Sequence, residues 1–214
     1  MSVEMLCKVG EQNLSKGAKA APTLSRHGHT VAYNAMQAAA DKGRMFMYCL
    51  QAPDAMAAGL SVTTPIATLC NPAGSGVTGR LWNVAIVNEV ALAAAAAFWL
   101  AAGTNTVAAN TTGTVSTAHR NMKLGGITPA SQGNRCVMLE NATLGTAAPV
   151  AIDIIGMGLT GAITTVPSLL ALTKWYYGAL LIQPGTHVSI QSSTASEASS
   201  TFVSFMWEEC DLID

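Results

Sequence analysis

The sequence predicts an all-β protein: a jelly-roll-like β-sandwich with an N-terminal arm and at most one or two short helices. Short runs rich in Val, Ile, Thr and aromatic residues recur along residues 45–214. Clusters of Gly, Pro, Asn and Ser separate these runs and are typical of turns. Short strands that are separated by turns at such regular intervals are typical of a β-sandwich or a β-barrel.

Seven runs are predicted as strands, and in chain order they cover residues 60–70, 80–90, 135–141, 149–155, 174–182, 186–191 and 201–208. Within the sixth run, Val188 and Ile190 alternate with His187 and Ser189, as expected for the two faces of a strand. Pro184-Gly185 has the chemistry of a type II turn, because proline presets φ and glycine accepts a positive φ. The turn lies between two apolar runs and predicts the clearest hairpin in the chain.

One helix is predicted over residues 31–42. Thr30 is a suitable N-cap, the run contains three successive alanines, and Gly43 lies where a helix C′ glycine belongs. Residues 91–102 are ambiguous, because their alanines favour a helix whereas Phe98-Trp99 lies in a β-rich neighbourhood.

The composition excludes several classes of protein. Of 214 residues, 50% are hydrophobic and only 11% are charged, with a net charge of −1. Disorder needs low hydrophobicity and high net charge, and a general nucleic-acid binder would be broadly basic. The apolar stretch 90–102 is too short for a membrane span, and residues 154–172 contain turn-forming Gly and Pro. The N-terminus does not resemble a signal peptide, and the odd number of cysteines, five, favours free thiols in a reducing cytoplasm.

Residues 1–44 are predicted to form a basic arm, and residues 45–214 the sandwich domain. Six of the eleven basic residues lie in the arm, where Gly10, Gly17 and Pro22 interrupt regular structure. One hypothesis is a solvated, loosely ordered terminus. The other is an arm that docks on an acidic neighbouring surface. The contact residues expected for docking are Lys8, Leu14, Lys16, Lys19, Leu24 and Arg26.

No motif in the sequence clearly indicates a catalytic, cofactor-binding or metal-binding site. The pattern G-x-G-x-x-G occurs at residues 74–79 and 156–161, but neither copy has the strand, helix and downstream acid of a dinucleotide site. His27 and His29 are only two potential metal ligands. Glu208 and Glu209 are adjacent on a predicted strand, so they should point to opposite faces. We therefore expect no enzymatic activity, no cofactor and no metal.

The four tryptophans, at positions 82, 99, 175 and 207, all lie in predicted strands or apolar runs. Stacking platforms for single-stranded nucleic acid would need interleaved Lys and Arg, which are scarce here. Packing in the core or in an interface is the better interpretation.

Two segments carry a resemblance to a known family. Residues 69–76 read Leu-Cys-Asn-Pro-Ala-Gly-Ser-Gly and lead into Leu-Trp-Asn-Val-Ala-Ile at 81–86. Residues 178–191 precede a Ser/Ala loop and a final run, Phe-Val-Ser-Phe-Met-Trp-Glu-Glu, at 202–209. As a pattern over residues 22–210, the chain resembles small virion proteins of tailed bacteriophages. In such proteins a basic N-terminal segment precedes a β-sandwich that ends on a Trp-Glu-Glu-like strand.

The resemblance implies a capsid decoration (cement) protein, a homotrimer bound to the major capsid protein on the outer capsid surface of the virion and assembled in the host cytoplasm. It carries over no catalytic residue, and it implies no nucleic-acid or membrane partner. The alternative is a host-receptor (glycan) binding module associated with a tail or fibre. Such a site should show exposed aromatic rings flanked by Asp or Asn, and the Ser/Thr-rich loops supply no such cluster.

Overall fold

The computed structural model describes residues 35–61, 65–89, 95–104, 114–116, 118–122, 135–143, 147–158, 170–195 and 201–212. The chain divides into two units, Met1–Ala38 and Ala39–Asp214, and the β-structure lies in the second unit. The arm residues predicted to make contacts lie outside the described residues, as do His27 and His29.

One short helix and eleven strands make up the described secondary structure. They are α1 (Ala35–Asp41), β1 (Met45–Cys49), β2 (Ala67–Asn71), β3 (Val77–Asn88), β4 (Ala96–Thr104), β5 (Thr114–Val115), β6 (Arg120–Asn121), β7 (Val137–Glu140), β8 (Val150–Gly158), β9 (Leu170–Ile182), β10 (Thr186–Ser192) and β11 (Thr201–Asp211). Each of the seven predicted runs overlaps one of these strands, and β4 lies in the segment left ambiguous, whereas β1, β5 and β6 were not predicted.

The strands form two antiparallel sheets with the topology of a jelly roll. The first sheet has the order β6-β1-β11-β3-β9, and the second has the order β5-β7-β2-β10-β4-β8. Four strands in each sheet, β1-β11-β3-β9 and β2-β10-β4-β8, interleave along the chain as the two Greek keys of a jelly roll require. The predicted fold class is confirmed. The short strands β5, β6 and β7 extend the sheets beyond these eight strands.

The helix ends where the sequence predicts. Gly43 has a φ of +71°, and the Arg44 amide donates to the Ala39 carbonyl at 2.9 Å while the Gly43 amide donates to Ala40 at 2.9 Å. These two bonds form a Schellman motif, in which a glycine at C′ adopts the left-handed conformation and the last carbonyls gain partners. The described helix covers seven residues of the predicted run.

The ambiguous alanine-rich segment lies in strand β4 over residues 96–102. Ala96, Phe98 and Leu100 are buried, while Ala97 and Trp99 are half-buried, which is the period of a strand. Strand β4 pairs with β10 on one side and with β8 on the other. Hydrogen bonding and packing in the sheet therefore override the intrinsic helix preference of alanine.

The predicted turn at Pro184-Gly185 is confirmed, but the prediction that it joins the two strands of a hairpin is wrong. Gly185 has a φ of +81°, and the Thr186 amide donates to the Gln183 carbonyl at 3.1 Å, as in a type II turn. The flanking strands nevertheless lie in different sheets: β9 pairs with β3, and β10 inserts between β2 and β4. Both edges of β10 are occupied, so β10 and β9 cannot form a hairpin.

The hydrophobic core lies between the two sheets and contains residues from both. Its largest fully buried side chains include Trp207 and Phe205 of β11, Phe98 of β4 and Leu69 of β2. Phe46 stacks on Trp207 with ring centroids 5.6 Å apart. Such aromatic pairs stabilise a core beyond the area that they bury.

Candidate functional site

Strand β9 carries a pronounced bulge at the edge of the first sheet. It pairs with β3 up to Trp175, opposite Asn83, and again from Leu180, opposite Leu81. Residues 176–179 of β9 therefore face a single residue of β3, Trp82. Tyr177 has a φ of +53° and Gly178 a φ of +76°. A left-handed backbone costs a residue with a side chain about 1–2 kcal/mol, and such strain is concentrated at functional sites.

The bulge presents two stacked aromatic rings to solvent. Trp175 is 43% exposed and Tyr177 is 71% exposed, and their ring centroids lie 5.8 Å apart at an interplanar angle of 24°. Gly178 lies over the buried indole of Trp82, since a Cβ atom there would be 3.4 Å from its Cε2 and Nε1 atoms. The Trp82 Nε1 group has no hydrogen-bond partner in the described part of the chain. Trp82 thus supports the bulge from below by packing.

A polar cluster beside the bulge joins the two sheets. Lys174 of β9 donates to Asp153 Oδ1 of β8 at 2.7 Å and to the Ile154 carbonyl at 2.8 Å. The Tyr176 hydroxyl donates to Asp153 Oδ2 at 2.9 Å. Burial alone would raise the pKa of Asp153, but the bonds from Lys174 and Tyr176 and the lysine charge outweigh it and hold that pKa below its usual value. Burial and the same bond raise the pKa of Tyr176.

Exposed apolar side chains are concentrated on β8 and β9. Of the nine large hydrophobic residues that are exposed in the described part of the chain, seven lie on these two strands. They are Val150, Ile152, Ile154, Met157, Trp175, Tyr177 and Leu181. Single exposed apolar residues are ordinary, but a concentration on neighbouring strands marks a surface for recognition.

The two adjacent carboxylates at the end of β11 have separate structural partners. Glu208 forms an ion pair with Arg44, with 3.0 Å between Oε1 and Nη2. Glu209 accepts from the backbone amides of Arg135 and Cys136, each at 2.8 Å. Burial raises the pKa of Glu209, and these bonds only partly offset that effect. The two carboxyl groups are therefore held by different partners.

His187 is a buried polar residue on the outer face of the second sheet. It is 2% exposed, pairs with Cys70 on β2 and with Gly103 on β4, and neither ring nitrogen has a hydrogen-bond partner among the residues described. Burial lowers its pKa to about 4. The alternating pattern placed His187 and Ser189 on the face opposite Val188 and Ile190, but gave no sign that both faces are buried.

The structure also locates the glycine patterns and the tryptophans that the sequence analysis considered. Gly74 and Gly76 form the turn that leads into β3, and Gly156 lies within β8, so the described parts of both glycine patterns belong to strands and turns. Of the four tryptophans, Trp175 alone is exposed, while Trp82 and Trp207 are buried. Within the described ranges no group of three His, Cys, Asp or Glu residues could hold a metal. No described helix is long and apolar enough to cross a membrane.

Comparison of the chain with protein-family models, with curated proteins and with solved structures gives no match. The functional inferences therefore rest on the residues and their geometry.

Proposed function

We propose that this protein is a non-enzymatic structural protein of a bacteriophage virion, a capsid decoration (cement) protein that binds the major capsid protein as a homotrimer. It would be assembled in the host cytoplasm and would lie on the outer surface of the head shell. The observation that carries the proposal is the concentration of exposed, uncharged apolar side chains on β8 and β9.

The composition of this surface is that of a protein interface. Interfaces are enriched in Trp, Tyr and Met and depleted of Lys, Glu and Asp. Each of the two strands contains one charged residue, Asp153 on β8 and Lys174 on β9, and these two neutralise each other in an ion pair. The jelly roll adds a fold-level analogy, because this architecture recurs in viral capsid proteins as well as in lectins and cupins.

A glycan-binding module of a tail or fibre is the second candidate, and the exposed Trp175–Tyr177 pair favours it. A sugar site also needs hydrogen-bonding groups beside the rings. The nearest polar side chains are already engaged: Asp153 binds Lys174 and Tyr176, and the Asn83 amide donates to the Lys174 carbonyl at 3.1 Å. A protein partner therefore fits this surface better than a sugar does.

The test is the position of the chain in purified particles of the phage that encodes it. Cryo-electron microscopy should show density for the jelly roll on the outside of the head shell, in groups of three. Purified protein should also bind shells from which it has been omitted, whereas a glycan array should show no specific signal. Density confined to the tail or fibre together with saturable glycan binding would support the second candidate and reject the first.

A further inference from the structure

We propose that Arg80, on the outer face of the first sheet, binds a carboxylate side chain of a partner protein. Arg80 lies in a cluster with Arg44, Glu208 and Cys210, which we call the arginine site. The cluster lies on β3, on β11 and on the residue before β1, apart from the exposed apolar side chains of β8. The inference goes beyond the proposed function, because it concerns the chemical group that the chain recognises and does not depend on the number of copies in an assembly.

The arginine site belongs to a row of side chains that crosses the first sheet. Glu208 of β11 pairs with Met45 of β1 on one side and with Arg80 of β3 on the other. Arg80 in turn pairs with Leu181 of β9. Leu81, the next residue of β3, is fully buried in the core, and the register shifts of β3 begin only after it. Strand alternation therefore places Arg80 and its row on the outer face of the sheet.

The charges of the arginine site do not balance. Glu208 is only 4% exposed, and its Oε1 atom lies 3.0 Å from Nη2 of Arg44 in an ion pair. Arg80 lies opposite the same carboxylate, yet neither of the ion pairs among the described residues includes it. Burial and the Glu208 carboxylate raise the pKa of the Cys210 thiol to about 11 against the effect of the two arginines, so this thiol is neutral at pH 7. The site thus contains two positive charges and one negative charge.

The terminal nitrogens of Arg80 are the part of its charge that a partner can reach. The side chain is partly buried, and its Nε atom is shielded from solvent and has no hydrogen-bond partner among the described residues. The two terminal nitrogens are not shielded in this way. A carboxylate can accept two parallel hydrogen bonds from such a pair of nitrogens, which gives a strong and geometrically specific contact. It would supply the negative charge that the arginine site lacks.

The surroundings of Arg80 favour an acid of a protein over a phosphate of a nucleic acid. Leu181 lies beside Arg80 and is 45% exposed, so a molecule that binds the arginine also covers an apolar side chain. Arginine is enriched at the energetic centres of protein interfaces, where apolar side chains surround it. Nucleic acids instead bind through several basic residues, whereas this row contains a single arginine. The partner is therefore expected to present an aspartate or glutamate beside an apolar side chain.

The unpaired charge leads to opposite expectations for the two arginines in urea denaturation. Arg80→Met keeps an apolar stem and removes a partly buried charge that has no acid partner among the described residues, so it should leave the midpoint unchanged or raise it. Arg44→Met leaves the buried Glu208 without its arginine, so it should lower the midpoint by about 1 M. A lower midpoint for Arg80→Met would show that Arg80 serves to stabilise the fold and would overturn the inference.

The binding experiment selects random peptides of about 12 residues on the immobilised full-length chain at about 50 mM salt, where charge pairs are weakly screened. Peptides that also bind Arg80→Met are discarded, and the affinities of the others are measured by fluorescence anisotropy. These peptides should contain an aspartate or glutamate beside an apolar residue. Replacement of that acid by its amide in the peptide, or Arg80→Met in the protein, should weaken binding at least about tenfold.

Arg135→Met is the matched control, because it also removes one positive charge, from an exposed side chain that donates to the Ser75 carbonyl at 3.4 Å. It should bind the selected peptides as the wild type does. Circular dichroism should show the same β-spectrum for all variants, and Arg80→Gln replaces Arg80→Met if that variant fails to fold.

Three results would each overturn the inference: no selected peptide that needs Arg80, selected peptides that lack an acid, or an Arg80-dependent affinity for a DNA duplex of about 20 base pairs. Attachment to phage shells is measured separately. A wild type that binds the acidic peptides but no shell retains the arginine site and rejects the proposed function. A wild type that decorates shells but selects no such peptide does the reverse.

Discussion

Acidification should destabilise this fold through His187. The ring is 2% exposed, lies between Cys70 and Gly103, and has no hydrogen-bond partner for either nitrogen among the described residues. A protonated imidazole at this position would be a buried charge with no acidic partner among the residues that the structure describes. Burial accordingly lowers the pKa of His187 from 6.5 to about 4.

The sign and size of the effect follow from this difference. The unfolded chain binds a proton on His187 near pH 6.5, but the folded chain does so only near pH 4. Between these values the unfolded state carries more protons, so the free energy of unfolding falls as the pH falls, and it stops falling below about pH 4. A difference of about 2.5 pH units corresponds to about 3 kcal/mol. This is a large fraction of the 5–15 kcal/mol that is typical of a folded domain.

The assay is urea denaturation of the wild type and of His187→Leu at about pH 7, 5.5 and 4. The variant should be at least as stable as the wild type at pH 7, because it removes two buried nitrogens that lack partners. The difference in the free energy of unfolding between variant and wild type should be about 3 kcal/mol larger, in favour of the variant, at pH 4 than at pH 7. Glu209 acts with the opposite sign, since its raised pKa stabilises the fold as the pH falls, but it is present in both proteins and cancels in the difference. Parallel stability curves for the two proteins would refute the reasoning.

Three further predictions concern other parts of the fold. Glu209→Ala should lower the free energy of unfolding by about 3 kcal/mol in urea denaturation, because the amides of Arg135 and Cys136 lose their acceptor; an unchanged midpoint would show that water replaces the carboxylate. Gly178→Ala should cost about 1 kcal/mol in thermal unfolding because of its φ of +76°, whereas Ala171→Ser, at an exposed position of β9 without a positive φ, is the control and should change stability by less than about 0.5 kcal/mol; equal effects would contradict the strain argument. Deletion of residues 1–25 should leave the β-spectrum intact and abolish attachment to phage shells, and a truncated protein that still decorates shells would reject the docking role of the arm.

The sequence was most informative where local chemistry dictates local geometry. The glycine at position 43 ends helix α1 in a Schellman motif, and Pro184-Gly185 forms a type II turn, because only a few residues suit these backbone conformations. The strand-like runs were also identified, since β-branched and aromatic residues fit a pleated, half-buried surface. Strand β1 was missed because its sequence, Met-Phe-Met-Tyr-Cys, is short and shows no alternation between polar and apolar residues.

The candidate site was only partly predictable. The sequence placed Trp175 in a strand and favoured core or interface packing, but exposure of Trp175 next to Tyr177 depends on the bulge. The bulge depends in turn on the register between β9 and β3, which leaves four residues opposite Trp82. The sequence of β9 alone does not specify that register, because the register depends on pairing with β3, which lies about ninety residues away in the sequence.

By itself, the sequence determined the fold class, the turns, the helix end and the scarcity of charge, because each of these depends on a residue and its near neighbours. Only the tertiary structure decided that β9 and β10 part at Pro184-Gly185 into different sheets, that an alanine-rich segment becomes strand β4, and that His187 is buried. It also decided that Asp153 and Lys174, the single charges of β8 and β9, neutralise each other beside the bulge. These outcomes depend on contacts between residues far apart in the chain, whose free energies outweigh local propensity.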